Sequence, residues 1–491
     1  MSSSSPKILY GLDDKPPLPK AAVLGLQHVL TMFGSTVAVP LLLGPAMGMD
    51  TTQTALLISS VMLCSGVATL IQVTVGSRLP IIQGVSFSFL AAFFAIIASV
   101  NAGDGLTGHP MQYIAGAVIV GAVFEMIIGF TGLMGLVRKF LSPVVVGPVI
   151  MLIGLALYQA GAPVAASDWP IAILTLVLIT VFSFVLARHS MLFRMFPMLL
   201  AILGAVAVCS VLAGFGVYGE GHAARPNLSA FDQASWVRVG DLFFPWGMPL
   251  FEVGFIVAVL AGYLASMIES FGDYHAVKQM AGEGDPTPKE ISRGIGCEGV
   301  GCALTGVFGG FSSTSYSENI GLVGLTRVAS RYVVLLGALM LILLGIFGKF
   351  GALAAAIPTP VVGGLYCAMF GLIAAVGVRQ FARADLTSDR NLFIGGFALF
   401  MGLSVPAWFG SDGGKAAMDS LNQALSGSGD LVGAIGNTGM AVAAILGITL
   451  DNLIPGTKTE RGLDTTRPSV LVPEADDVDI TDEQQQEGAA K

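Results

Sequence analysis

Phe311-Ser-Ser-Thr-Ser-Tyr-Ser-Glu-Asn-Ile-Gly-Leu-Val-Gly-Leu-Thr-Arg-Val-Ala-Ser-Arg331 is the stretch around which the chain is organised. Ser312 to Ser317 are small, polar or aromatic and suit extended backbone, whereas Ile320 to Val328 is an apolar run. As a helix rising ~1.5 Å per residue, that run covers only about half of a ~30 Å hydrocarbon core. Glu318 and Asn319 stand at the junction. Extended backbone feeding a half-helix is tolerated at membrane depth only where protein or a cavity surrounds it, and such half-helix N-termini bind substrates in transporters. The pattern predicts a binding site built on a broken span.

Working outward, the 491 residues are 54% hydrophobic and only 11% charged, with mean hydropathy +0.79. That composition excludes a soluble globular domain and indicates an all-α polytopic membrane protein. The 63 glycines suit helices that pack closely in a bilayer. Cys64, Cys209, Cys297, Cys302 and Cys367 are odd in number and lie in or beside apolar segments, so they predict neither disulfides nor a zinc site. Much of the net charge of −8 falls in Asp464 to Glu487, expected to be a disordered cytoplasmic tail. The first twenty residues offer no apolar core for a signal peptidase.

Apolar windows of about 20 residues place spans near 21–44, 52–75, 112–134, 142–160, 168–187, 195–217, 249–272, 290–309, 332–350, 356–378, 391–410 and 433–454. Half-helix segments at 84–100 and 312–329 bring the count to fourteen, with short strands before half-helices 3 and 10. With the N-terminus inside, all of the 24 Lys and Arg except Arg225, Arg238, Lys349 and Lys415 fall on the cytoplasmic side. An odd error in the count would move every later loop across the membrane and destroy that asymmetry. Both termini are therefore expected in the cytoplasm, with the chain in the cell (plasma or inner) membrane.

The halves repeat one another. Gly129, Gly132 and Gly135 recur at the spacing of Gly345, Gly348 and Gly351. Pro143-Val-Val-Val-Gly147 with Gly154 recurs as Pro360-Val-Val-Gly-Gly364 with Gly371. Seven spans per half is odd, so the second half enters from the opposite side as a 7+7 inverted repeat. In that register the partner of the opening stretch is Arg78-Leu-Pro-Ile-Ile-Gln-Gly-Val-Ser-Phe-Ser-Phe89.

Carboxylates in apolar spans cost roughly 2.5–3.5 kcal/mol, so each needs a partner or a task. The candidates are His28, Glu125, Glu252, Glu269, Asp273, Glu298 and Glu318. Glu269 and Asp273 are four apart on one helix face, where two close carboxylates cannot both stay ionised cheaply; the pair is a candidate proton carrier. Glu125 and Glu252 read as structural or interfacial. His28 reads as a packing histidine as readily as a functional one. Glu318 stands where free backbone N–H groups accompany a carboxylate, an arrangement complementary to a flat heterocycle with adjacent N–H and C=O groups. Phe87 and Tyr316 are candidates to stack on such a ring.

Glu318-Asn-Ile-Gly-Leu-Val-Gly-Leu-Thr-Arg327 resembles the signature of the nucleobase/ascorbate transporter family, also called the nucleobase:cation symporter-2 family. That pattern runs Gln, Glu or Pro, then Asn, a free position, Gly, four free positions, Thr, and a residue that is often Arg or Lys. Gln27-His28, Gln83-Gly-Val-Ser-Phe87 and Glu269-Ser-Phe-Gly-Asp273 add to the resemblance, which extends from about Tyr10 to Pro455. The resemblance implies a core domain (21–135 and 249–350) moving against a gate domain (136–217 and 351–455). Residues 1–20 and 456–491 would be cytoplasmic tails and 218–248 an extracytoplasmic loop. It implies a homodimer through the gate domains and proton-coupled uptake of uracil, or of a purine such as xanthine. Sodium is the alternative ion, and no cofactor, metal or nucleic acid is involved.

By the same resemblance Glu269 and Glu318 would bind the base, Phe87 and Tyr316 would line it, and backbone at Ser317 and near Ser35 would add hydrogen bonds. Glu269, Asp273, Glu298 and His28 would serve proton coupling. Gln27, Gln83, Asn319, Gly321, Thr326 and Arg327 would hold the architecture. Proline at the first signature position accompanies ascorbate transport, so Glu318 argues against an ascorbate-type carrier; Asp273, where uracil carriers have His, argues against a simple uracil assignment. An anion exchanger or channel of the same architecture should present neutral or basic side chains at its half-helices. A membrane enzyme would need a nucleophile or metal cluster, and the five histidines are scattered.

Overall fold

The computed structural model describes residues 8–103, 106–238, 240–424 and 428–463. Long helices occupy twelve of the expected segments: α1 (Leu18–Ala46), α2 (Thr51–Thr74), α4 (Pro110–Thr131), α5 (Pro143–Ala156), α6 (Trp169–Thr180), α7 (Pro197–Gly214), α8 (Val253–Met280), α9 (Pro288–Phe308), α11 (Arg331–Ile346), α12 (Thr359–Phe381), α13 (Asp389–Phe409) and α14 (Gly439–Leu453). The other two are the half-helices α3 (Leu90–Ala102) and α10 (Ser317–Thr326). Strands β1 (Gln83–Val85) and β2 (Ser313–Ser315) precede α3 and α10, β1 through a single 3-10 turn at Phe87–Phe89. Several ends carry sequence-encoded stops and starts: Asp50 accepts from Gln53 N at 2.7 Å, and Pro110, Pro143, Pro197 and Pro288 open helices where no N–H partner is needed.

The strands answer the question the opening stretch poses. Where the chain unwinds inside the bilayer, its N–H and C=O groups have no water to meet. They meet each other instead. Gln83 lies opposite Ser315, Gly84 opposite Thr314 and Val85 opposite Ser313 in an antiparallel pair, which Ser86 N to Ser312 O and Tyr316 N to Ile82 O, both 3.0 Å, extend at its ends. The two half-helices thus start from one short ribbon.

Packing follows the repeat. α4 lies along α9 and α11 along α2, with α1 and α8 completing this first group. A Cβ on Gly129 would fall 2.1 Å from Gly296 N, and one on Gly345 would fall 2.4 Å from Leu63 N. The two repeat glycines therefore serve the same end, backbone-to-backbone contact of α4 with α9 and of α11 with α2. In the second group α12 packs on α5 and α6, and α13 and α14 pack on each other and on α5. The apolar stretch of α2 is 78% buried, whereas those of α7, α13 and the span Trp169–Arg188 that begins with α6 are only 22% buried. The latter are lipid-facing helices, with Trp169, Ile173, Val177 and Phe400 outward.

Several details depart from expectation. α11 does not run straight to residue 350: it bends by 80° into Gly348–Ala355. Arg238, from the 218–248 segment, is buried at that bend and donates to Gly345 O at 3.1 Å and Ser60 Oγ at 3.0 Å. Between α13 and α14 the chain forms two further helices, Asp412–Ala424 and Ser428–Gly436. The tail expected from 456 is packed as far as it is described. Asp451 is a buried charge that pairs with Arg390 at 2.9 Å and Arg461 at 2.7 Å, and this holds the following residues against the end of α13. The acidic stretch from Asp464 lies outside the described residues. So do residues 1–7, but residues 9–12 are not a free tail: Leu9 N donates to Arg327 O at 2.9 Å and Ala329 N to Tyr10 O at 2.8 Å.

Candidate functional site

The site is assembled where α8 and α10 face α1 behind the strand pair. Tyr316 is the non-helical residue before α10, so Ser317 and Glu318 occupy its first turn, where their N–H groups have no intrahelical partner and a negative charge is favoured. Both are exposed, and Gly321 and Gly324 share their face. A Cβ on Gly321 would meet nothing within 4 Å. The signature glycine thus keeps one face of the half-helix open instead of packing it against a neighbour. The helix ends at Arg327, in the left-handed region at φ 57°, after Thr326 Oγ1 donates to Leu322 O at 2.8 Å.

Glu318 Oε1 accepts from the Ser35 hydroxyl at 3.4 Å. The Ser35 side chain thus joins α1 to the first turn of α10. Glu269 is partly buried on α8, within electrostatic range of Glu318, Asp273 and Glu298, and among the described residues it takes no hydrogen bond. Asp273, one turn on, is held by two hydroxyls: Ser317 Oγ donates to Oδ1 at 2.8 Å and Ser315 Oγ to Oδ2 at 2.7 Å. A carboxylate at the first turn of a half-helix and a second one, on α8, thus lie within electrostatic range of each other.

Asn319 turns inward. Its amide donates to His28 O at 2.9 Å and contacts His28 Nδ1 at 3.2 Å, and both side chains are buried. The structure brings His28 to the signature through Asn319, not to the open face. Gln27 lies beside it, partly buried, with an unpartnered Oε1.

Tyr316 is only 4% exposed. Its hydroxyl donates to Val85 O at 2.9 Å and accepts from Thr36 at 3.2 Å, and a Cβ on Gly84 would fall 2.6 Å from its ring. The ring lies over Gly84 and braces the strands, whereas Phe87, the other candidate aromatic, is only partly buried. Phe87 packs against two apolar clusters, one of which carries Val149, Leu152 and Met440 of the second helix group. Gln83 sits in β1 with its amide 1% exposed and unpartnered.

Glu298 is buried on α9, where Ser270 Oγ donates to Oε1 at 2.8 Å and Tyr274 OH to Oε2 at 3.1 Å. Glu252 caps the start of α8, accepting from Gly254 N at 3.4 Å. Glu125 is not interfacial: it is fully buried in α4. Sequence reasoning passed over Ser270, Ser315, Thr36 and Tyr274. Serine and threonine in apolar helices usually bond back to their own helix, which hides such cross-helix roles. The one visible signal was Ser270 lying between two carboxylates in Glu269-Ser-Phe-Gly-Asp273.

All five cysteines are free, and among the described residues no cluster of His, Cys, Asp or Glu could hold a metal. A cavity of about 230 Å³ opens elsewhere, on the seam between α1 and α12, lined by Leu41, Pro45, Thr54, Thr359, Val362 and Tyr366 and by no carboxylate.

Comparison with known proteins agrees with this geometry. Residues 19–411 match the family described as "Permease family". The chain is 37% identical to solute carrier family 23 member 2 of Rattus norvegicus, over 93% of this chain and 76% of the relative. It is 34% identical to nucleobase-ascorbate transporter 12 of Arabidopsis thaliana, over 92% of this chain and 71% of the relative. The transmembrane domain of the cyanobacterial bicarbonate transporter BicA superposes with TM-score 0.52 at 14% identity, over 90% of this chain and 99% of that one, a likeness of fold alone. With the signature intact at Glu318 to Arg327 and the fold of a membrane carrier around it, the chain belongs to this permease family, the nucleobase/ascorbate transporter family, and is a transporter and not an enzyme.

Proposed function

We propose that this transporter is a proton-coupled nucleobase symporter, taking uracil or a purine such as xanthine. The observation that carries the reading is Glu318: an exposed carboxylate in the first turn of a half-helix, with the unpaired Glu269 across from it. Ring N–H groups donate to those carboxylates, ring carbonyls accept from free N–H groups of the first turn, and Phe87 stacks on the ring. Two carboxylates repel an anionic substrate. Protonation among Glu269, Asp273 and Glu298 from outside admits the base, and release inside frees the proton.

The two helix groups support a core of α1–α4 and α8–α11 that slides as an elevator against a gate of α5–α7 and α12–α14. Phe87 sits on their seam. In this reading both termini face the cytoplasm of the cell membrane and gate domains pair in a homodimer. An inward proton gains about 2.3 kcal/mol per 100 mV, which supports roughly 50-fold accumulation of a neutral base from voltage alone. The test is uptake of radiolabelled uracil and xanthine into vesicles holding the purified protein. An imposed inward proton gradient drives accumulation of one of them and an uncoupler abolishes it; uptake indifferent to both overturns symport.

A second reading, an ascorbate-type carrier, is favoured by the nucleobase-ascorbate transporters among the relatives. Ascorbate that competes with uracil and xanthine, or replaces them, in the same vesicles establishes it.

A further inference from the structure

Behind the strand pair lies a carboxyl that neither the binding site nor the signature uses. Glu125 is 0% exposed, and neither of its oxygens has a hydrogen-bond partner. It sits where α4 and α9 touch. A Cβ on Gly129 would fall 2.1 Å from Gly296 N, and one on Gly299 would fall 2.8 Å from Met126 N, so backbones meet on the turns around Glu125 and Glu298. From α9 the groups facing Glu125 are Glu298 and Cys302; from α8 they are Tyr263 and Tyr274, with Asp273 beyond them. No lysine, arginine or histidine is among them in the described residues. The stronger neighbouring donors are committed, Tyr263 OH to Val118 O at 2.8 Å and Tyr274 OH to Glu298 at 3.1 Å, which leaves the weakly donating Cys302 thiol, itself 3.2 Å from Ser313 O. An ionised carboxylate without a strong donor or cation in such a place costs several kcal/mol, whereas a protonated one needs only an acceptor. Glu298, on the facing helix and within electrostatic range, is the candidate acceptor.

We infer that Glu125 and Glu298 form a buried acid pair that holds one proton between them and serves as a proton store behind the substrate site. The inference rests on the proton-coupled reading for its role, not for its existence. A continuous line of hydroxyls joins the store to the site. Ser270 Oγ donates to Glu298 at 2.8 Å, lies 2.9 Å from Ser315 Oγ, and Ser315 Oγ lies 2.7 Å from Asp273.

A proton arriving on Asp273 passes along it once the Ser315 hydroxyl rotates. Asp273 gives its proton to Ser315, Ser315 gives its own to Ser270, and Ser270 gives its own to Glu298. Three O–H bonds break and three form, one proton has moved, and the pair changes from one negative charge to none. Glu125 is thus a positioning residue: it touches no substrate, and it sets how readily Glu298 takes the second proton.

The test is infrared difference spectroscopy of the purified full chain in vesicles without substrate, at about pH 5.5 and about pH 7.5, in H2O and D2O. The wild type shows a protonated-carboxyl C=O band at the higher pH, shifted by deuteration, and that band is lost in Glu125→Gln. A second band grows at the lower pH and is lost in Glu298→Gln. Spectra of Glu125→Gln identical to the wild type overturn the pair. Should Glu125→Gln fail to fold, Glu125→Asp keeps the acid and must displace the band; an unmoved band overturns the pair equally. Because no substrate is present, the outcomes separate: an acid pair with uptake indifferent to a proton gradient removes the coupling reading alone. Proton-driven uptake without the band removes the pair alone.

Discussion

Glu318 is placed by a local rule: an extended segment that cannot begin its helix until Tyr316 has passed leaves the next side chains in a first turn with free N–H groups. If the base binds there, Glu318→Gln keeps the fold and loses a charge-assisted hydrogen bond. Such bonds are worth about 1.5–3 kcal/mol, so affinity falls about tenfold to a hundredfold in a titration with the preferred base. Asn319→Ala acts differently. It removes the Asn319 amide that donates to the buried His28 carbonyl and touches its ring, and should lower unfolding stability by about 1–3 kcal/mol, read as a fall in Tm with or without substrate. Glu318, Asp273 and Asn319 were legible in the sequence because charged and amide groups in apolar runs demand a reason. The burial of Tyr316 was not. An aromatic beside a carboxylate looks the same whether it stacks on a ligand or covers Gly84, and only the third dimension separates the two.

At the scale of elements, the strand pair and the half-helices were foreseen because unwound backbone in a bilayer must pair with something. The bend in α11 and the insertion of Arg238 at it were not, because Gly345 and Gly348, which flank the break, are of a kind that recurs throughout the apolar spans and does not by itself mark a bend. Glycine positions make opposite demands, which substitution separates. Gly129→Leu drives a side chain into the backbone of α9 and should abolish assembly, seen as loss of the monodisperse peak on size exclusion. Gly321→Leu meets open space, so the protein should remain monodisperse with an unchanged Tm while uptake is lost, because the new side chain fills the face shared with Ser317 and Glu318. Equal loss of assembly in both would show that the open face of α10 is a packing surface after all.

Across the whole molecule, the two helix groups meet along α1 and α12, where Val37, Leu41, Val361 and Leu365 line a narrow apolar seam. Sliding of a core against a gate requires that seam to shear. Cysteines introduced together as Val37→Cys and Val361→Cys should crosslink on oxidation, stop uptake, and release it again on reduction; undiminished uptake by the crosslinked protein contradicts an elevator motion. The repeat, the charge asymmetry and the composition made the architecture readable from one chain. Substrate identity was less readable, because in the sequence Glu318 argues against an ascorbate-type carrier and Asp273 against a simple uracil assignment, and neither singles out one substrate. The most direct measurement is therefore thermal-shift binding of uracil, xanthine, adenine, urate and ascorbate to the wild type and to Glu318→Gln. The account predicts stabilisation by one nucleobase that disappears in Glu318→Gln. Stabilisation by ascorbate alone, or by a nucleobase equally in both proteins, would contradict it.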